Sequence, residues 1–373
     1  MIARSNNTHI VQLDGLRFLA ILSVMFGHWT QWQINKPFVN GFPFGNGVTL
    51  FFVLSGYLIS DILIRNNQTY SDSLLPKSGL IKSFYMRRVL RIFPLYFATI
   101  IFLFLISYKN TRAFFPWLAT FTSNLYQSRH NVFVEDFNHF WSLAVEEQFY
   151  LFWPWLIIFT PAKYTEKIIL SVIALSLLTK IYLYNMYPDK WMATSYFTLS
   201  CMHALGFGAL LAYWHIYNKK IIDYISEFKW LYASVITYFT FHYIAYFGKF
   251  NWYIETFDNI LFAIMSALLV NYAVQNKFSG IMKSLLENKF VVYSGKISYG
   301  LYIFHLFIPG LFWNHLSGIL GLSVSNKYTA FVLFYIVTFV MAHLSWRLME
   351  KPLNDLKSKF PYLKKAGEEQ TAN

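Results

Sequence analysis

Apolar runs of about twenty residues, separated by short polar pieces, recur along nearly the whole chain. A bilayer core needs about 20 residues of helix at 1.5 Å each. Ten segments meet that length, near 13–34, 46–64, 90–107, 139–160, 167–187, 198–217, 230–247, 255–276, 297–320 and 328–349. The second is the weakest, because Gly45, Gly47, Ser55 and Gly56 interrupt it. Only the connections 65–89 and 108–138 are long. A membrane β-barrel would instead need alternating segments of about ten residues, and that pattern is missing. The expected fold is an all-α polytopic membrane protein of about ten transmembrane helices.

Composition agrees. Of 373 residues, 56% are hydrophobic and 13% charged, against about 25% charged in a soluble domain. The net charge of +13 would suit a nucleic-acid partner, so its distribution decides. With ten spans both termini share a side. Twenty-three of the 31 Lys and Arg fall on that side and seven on the other, with Lys180 inside the fifth span. This is the positive-inside bias, which puts both termini in the cytoplasm. It removes nucleic acid as a partner and leaves membrane lipid. The expected location is the cell membrane, multi-pass, as in a bacterial inner membrane. No cleavable leader is read before the first span, which is expected to stay as an anchor. A single cysteine, Cys201, rules out an internal disulfide and a thiolate metal cluster. Residues 1–353 read as one membrane domain, and 354–373 as a short, charged cytoplasmic tail, frayed at its end.

Within this apolar background the ionisable residues stand out. In the stretch LDGLRFLAILSVMFGHWTQW, Arg17 and His28 are eleven residues apart. That is about 1100° of helical rotation and about 16 Å of rise, so both lie on one face. Asp14 precedes Arg17 by three and can pair with it. Charged groups inside a span are costly and usually mark a pathway or a reaction. The plainer alternative is a snorkelling arginine with a histidine that packs between helices.

Four further strings matter in company. GNGVTLFFVLSGYLIS (45–60) reads as a small-residue packing face that also carries Ser55 and Tyr57. FYMRRVLRIFPLY (84–96) projects Arg88 and Arg91 from one face at a spacing suited to phosphate, or to an anchor on anionic lipid. HFWSLAVEEQFYLFWPW (139–155) buries Glu146 and Glu147 in an apolar helix. One of the two, entering from the outer side, is expected near the level of His28, where it would raise the imidazole's basicity and fix its tautomer. A structural tie from Glu to Arg is the alternative. GKISYGLYIFHLFIPG (295–310) places Ser298, Tyr302 and His305 on one stripe, also compatible with a hydrogen-bond seam. The end of the last span, SWRLMEKP with Arg347 and Glu350, reads as a helix halted by Pro352. The remaining histidines show no metal-ligand spacing. Complete GxSxG, P-loop and GxGxxG patterns are missing too.

Taken in order, LDGLRFLAIL with Arg17 and His28, FFVLSGYLI, RVLR, WSLAVEEQFYLFWP, ISYGLYIFH and MEKP resemble the acyltransferase 3 family over residues 9–353. These are membrane-embedded enzymes that acylate carbohydrates and other exported molecules. The resemblance implies His28 as the central catalytic residue with Arg17 as its partner. It implies Glu146 as the acidic position after WSLAV, and Arg88 with Arg91 as the acyl-donor pair. Asp14, Tyr57 and His305 are supporting residues. It also implies acetyl-CoA or another acyl-CoA as co-substrate, with no tightly bound cofactor and no metal. The implied acceptor is a carbohydrate hydroxyl, O-antigen or another surface polysaccharide first, in a stand-alone form without an added extracellular domain. Direct transfer through His28 as base and a covalent acyl-histidine both fit. A polytopic transporter or exporter of a polysaccharide precursor is the competing expectation; it would show two related halves, and no internal repeat is read.

Overall fold

The computed structural model describes residues 9–31, 42–73, 75–250, 254–311 and 327–362. Among them every regular element is helical. In order these are α1 (Val11–Gln31), α2 (Gly47–Asp72), α3 (Lys77–Leu105), α4 (Thr111–Ala119), α5 (Ser123–His130) and α6 (Phe140–Phe159). Then come α7 (Ala162–Met186), α8 (Trp191–Tyr196), α9 (Thr198–Tyr217), α10 (Lys219–Ile225), α11 (Phe228–Phe247) and α12 (Asn259–Val274). The last are α13 (Gly280–Leu286), α14 (Lys289–Lys296), α15 (Ser298–Phe304), α16 (Phe307–Leu311), α17 (Lys327–Ser345) and α18 (Lys351–Asp355).

Six described stretches are long and apolar enough to cross a bilayer: Phe44–Asp72, Lys77–Leu105, Ala162–Met186, Trp191–Tyr217, Thr256–Val274 and Thr329–Lys359. The chain is a multi-pass helical membrane protein. The segments expected at 13–34, 139–160 and 230–247 are also single helices, α1, α6 and α11, but they are less apolar. Their hydropathy is lowered by Asp14, Arg17 and His28, by the Glu146–Glu147–Gln148 run, and by the tyrosines of α11. The first of these expected spans runs past Gln31 into 32–41, which lie outside the described residues.

The ninth expected span, 297–320, is not one helix. Its described part is broken at Ile297 and again at His305–Leu306, between α14, α15 and α16; 312–326 lie outside the described residues. The second break frees the carbonyl of His305, which accepts a hydrogen bond from Trp29 Nε1 at 2.9 Å. Proline does not halt the last span either. A π-helical turn at Trp346–Glu350 leads into α18, where Pro352 sits in the first turn, the position in which its missing N–H costs nothing. The segment after residue 353 is held as far as 362, and the end expected to fray lies outside the described residues. Arg87 donates to the carbonyls of Lys357 and Phe360 at 2.9 and 3.2 Å, and Ser83 to that of Pro361 at 2.8 Å.

The centre of the bundle is α2 against α9, with α1, α7 and α12 around it. The apolar windows of these two central spans are 67% and 72% buried, whereas those of α7 and α17 are 22% buried. The outer helices turn Leu170, Leu175, Leu178, Val332, Ile336 and Val340 outward, an apolar band suited to lipid tails. Two glycines let α2 and α9 touch. A Cβ at Gly56 would overlap the Leu205 backbone, and one at Gly208 would overlap that of Val53. Small residues at such crossings allow close backbone packing, which is what the small-residue pattern of 45–60 predicts for Gly56.

Candidate active site between two cavities

Helix α1 carries both signature residues to the same side of the bundle, but into different spaces. Arg17 lines a cavity of about 240 Å³. His28 lines a second one of about 310 Å³. Their separation of about 16 Å along the helix axis is what keeps them apart. Val48, Phe52 and Tyr302 line both cavities, so the two spaces meet at a septum of three side chains.

The first cavity is cationic at its α1–α3 side. Arg17 is pinned by Asp14, to which its guanidinium donates, and His9 Nε2 lies 2.6 Å from the other Asp14 oxygen. Arg88 and Arg91 project together from α3 into the same space. Arg88 lies over the rings of Tyr150 and Phe84, 5.5 and 5.7 Å from their centroids, and its Nε has no partner among the described residues. Arg91 is exposed and forms no hydrogen bond or ion pair among the described residues. Two guanidinium groups with no ion pair among the described residues, facing a cavity whose one carboxylate is Glu146, form a site for a multiply charged anion. Opposite them Tyr150 donates to Ser55 at 3.2 Å, and Ser55 donates to Glu146 Oε1 at 2.7 Å.

The second cavity contains the imidazole chemistry. His305 Nδ1 lies 2.7 Å from the Tyr302 carbonyl, and its Nε2 lies 2.9 Å from His28 Nδ1. A carbonyl only accepts, so His305 Nδ1 carries the hydrogen. In neutral His305 the Nε2 is then a lone pair, and His28 Nδ1 must be the donor to it. That leaves the lone pair of neutral His28 on Nε2. The two rings are stacked with centroids 5.0 Å apart, and His139 stands edge-on to His305 at 4.9 Å. Trp29, next in sequence to His28, holds the His305 carbonyl, so α1 and the break after α15 are fixed to each other beside the reactive ring.

The structure therefore brings Arg17, with Asp14 behind it, Arg88, Arg91 and Glu146 around one cavity, and places His28 at the other, with His305 bonded to it from outside the lining. It separates Glu146 from His28. Glu146 lies seven residues into its helix from His139, about 10 Å deeper, whereas His28 is only three residues from the end of α1. The residue at the level of His28 is His139, and the orienting partner of His28 is His305. Tyr57 faces away from both cavities: it follows Ser55 by two residues, a turn of about 200°, and packs edge-on to His215 at 5.7 Å. Arg87 serves the chain end rather than the cavity. Sequence reading passed over Trp141, Asn138, Tyr196, Lys180 and His203, all lining the His28 cavity. Trp141 opens the WSLAVEEQ string and Asn138 lies three residues before it, so these two were the findable ones.

The family model described as an acyltransferase domain matches residues 10–348. The chain belongs to the acyltransferase 3 family. A peptidoglycan O-acetyltransferase, OatA, of Listeria monocytogenes is 27% identical over 374 residues, covering 94% of this chain and 56% of the relative. The O-acetyltransferase OatA of Staphylococcus aureus is 28% identical over 378 residues, covering 91% of this chain and 56% of the relative. The chain thus spans about half the length of the curated relatives it matches. No solved structure matches it. Of the positions that carry the family resemblance, Arg17, Arg88, Arg91 and Glu146 line one cavity and His28 the other.

Proposed function

We propose that this acyltransferase moves an acyl group, acetyl in the first instance, from cytosolic acyl-CoA to a hydroxyl of a surface or lipid-linked glycan. The observation that carries this reading is the pair of adjoining cavities, one bearing Arg88 and Arg91 and the other His28. The positive-inside bias supports an arginine cavity that faces the cytoplasm, with both chain termini on that side. The phosphates of the donor bind Arg88 and Arg91, and charge-assisted bonds of this kind are roughly twice as strong as neutral ones. The pantetheine arm then passes Arg17 and delivers its thioester to the septum of Val48, Phe52 and Tyr302.

Across that septum the acceptor hydroxyl gives its proton to His28 Nε2 as its oxygen attacks the thioester carbonyl. The tetrahedral intermediate collapses, the C–S bond breaks, and the leaving thiolate takes the proton back from the imidazolium. A neutral imidazole can take the hydroxyl proton, and its conjugate acid can return it to the thiolate. His305 accepts from His28 Nδ1 in the ground state, and so keeps the reactive lone pair on Nε2. Glu146 balances the charge of the arginine side and holds Ser55; it acts at the donor rather than at the base.

The test is to incubate membranes containing the protein with labelled acetyl-CoA and to follow label into the envelope. Label in peptidoglycan, as the name of the Listeria relative suggests, or in O-antigen would identify the acceptor; movement of glycan without label would favour export over transfer. A finer check concerns His305. His305→Phe keeps ring volume but removes the acceptor for His28 Nδ1, and should lower kcat with little change in the donor KM. His305→Gln, which restores a side-chain acceptor, should recover part of that loss. Equal activity in both variants would remove the tautomer argument.

A further inference from the structure

The His28 cavity has a wall that catalysis by an imidazole does not require. Trp141 and Tyr196 stack with centroids 4.2 Å apart and planes 8° from parallel. Trp191 stands edge-on to Tyr196 at 5.4 Å, and Phe133 lies 5.7 Å from Trp191. All four line the cavity together with His28. Phe133 is 60% exposed and Trp191 36% exposed, so the aromatic wall runs from the buried histidine to the open end.

Polar groups on the same cavity are left unsatisfied. Asn138 is buried and donates to the Tyr196 hydroxyl at 3.3 Å, while its Oδ1 has no partner among the described residues. His203 is buried too. Its Nδ1 lies 3.0 Å from the Ser200 carbonyl, and its Nε2 has no partner among the described residues. Ser176 Oγ lies 3.2 Å from the same Nδ1, so depending on the tautomer the Nε2 of neutral His203 accepts or donates. Buried polar atoms are normally paired, and two unpaired polar atoms on one cavity await hydroxyl partners. Aromatic faces for apolar C–H groups, combined with polar partners for O–H groups, are the two halves of what a pyranose ring presents. The 310 Å³ volume lies at the low end of ligand pockets, about 300–1,000 Å³, which suits one sugar unit rather than an extended stretch of chain.

We propose that this wall is the acceptor subsite: one sugar ring lies against Trp141, Tyr196 and Trp191, Asn138 Oδ1 accepts from one ring hydroxyl, His203 Nε2 pairs with another, and the glycan leaves past Phe133. This deepens the function proposed above and rests on it for the chemistry, though not for the binding. Trp191 and Phe133 are then specificity residues that never touch the donor.

Binding is measured on the purified full chain in detergent, with two probes: the N-acetylglucosaminyl–N-acetylmuramic acid disaccharide and cellobiose. We expect at least one to bind by calorimetry, with Trp191→Ala weakening it by about tenfold and Trp191→Phe retaining most of the affinity. Asn138→Leu should weaken the same probe, whereas Asn138→Asp keeps an acceptor and should weaken it less. Acetyl-CoA binding should be unaltered in all four variants, which also reports that they are folded. Failure of both sugars to bind the wild type, or equal binding by wild type and Trp191→Ala, overturns the subsite. Sugar binding that follows this pattern without any acetyl transfer upholds the subsite and overturns the enzymatic reading instead.

Discussion

Replacing His28 with alanine should abolish acyl transfer while the protein still inserts and accumulates at normal levels. Loss of a positioned general base alone costs about 10²–10⁴-fold, and the two histidines nearest His28 are otherwise engaged. His305 is held by the Tyr302 carbonyl and His139 Nε2 lies against the Ile303 carbonyl at 3.2 Å; neither borders the His28 cavity. His28 is half-buried in a polar cavity rather than locked in the apolar core, so its truncation leaves the helix packing intact. The measurement is acetyl transfer to glycan per unit of membrane-inserted protein. Near-normal turnover in the alanine variant would remove the base from the mechanism, and with it the meaning assigned to the His28–His305 pair.

The double variant Arg88→Ala with Arg91→Ala should raise the KM for acyl-CoA by about one to two orders of magnitude. The estimate follows from about 1.5–3 kcal/mol for each hydrogen bond to a charged group, reduced because Arg91 is open to solvent, which screens it. The acceptor KM should hold steady, since neither arginine borders the His28 cavity. Raising the salt concentration should weaken donor binding in the wild type and have much less effect in the double variant. If acceptor dependence shifts instead, the anion site has been assigned to the wrong substrate. Arg87→Ala is the control: it loses its hold on the carbonyls of Lys357 and Phe360, and should lower stability without a selective effect on the donor.

Much of this arrangement was legible in the residues. The eleven-residue spacing of Arg17 and His28 put both on one face, and both do face the cavities. Asp14 pairs with Arg17 as its three-residue spacing implies, and Arg88 and Arg91 do project together. What the sequence could not give was relative depth. Helices enter the bundle at heights set by loops and packing, so Glu146 and His28, both entering from one side, were expected at one level and lie at two. Nor could it show that the polypeptide around His305 leaves the helical path, because ISYGLYIFHLFIPG reads as an unbroken apolar helix until Pro309. Unbroken, the His305 carbonyl would point along its own helix and would not meet Trp29. Tyr57 shows the opposite error: its string is informative, but a period of 3.6 residues turns it away from the face that Ser55 occupies.

The septum of Val48, Phe52 and Tyr302 carries one more implication. In the reaction proposed above, donor and acceptor arrive from opposite faces of the membrane, so the enzyme runs the risk of behaving as a pore, and a leak of protons would cost the cell continuously. Here the electrical insulation at that point is a single layer of two apolar side chains and a phenol, whose hydroxyl is tied to the His139 carbonyl at 2.7 Å and to Ser142 at 2.5 Å. Any motion that lets a thioester through has to reseal within one catalytic cycle, so tightness against ions, as much as chemistry, limits how wide this passage can become.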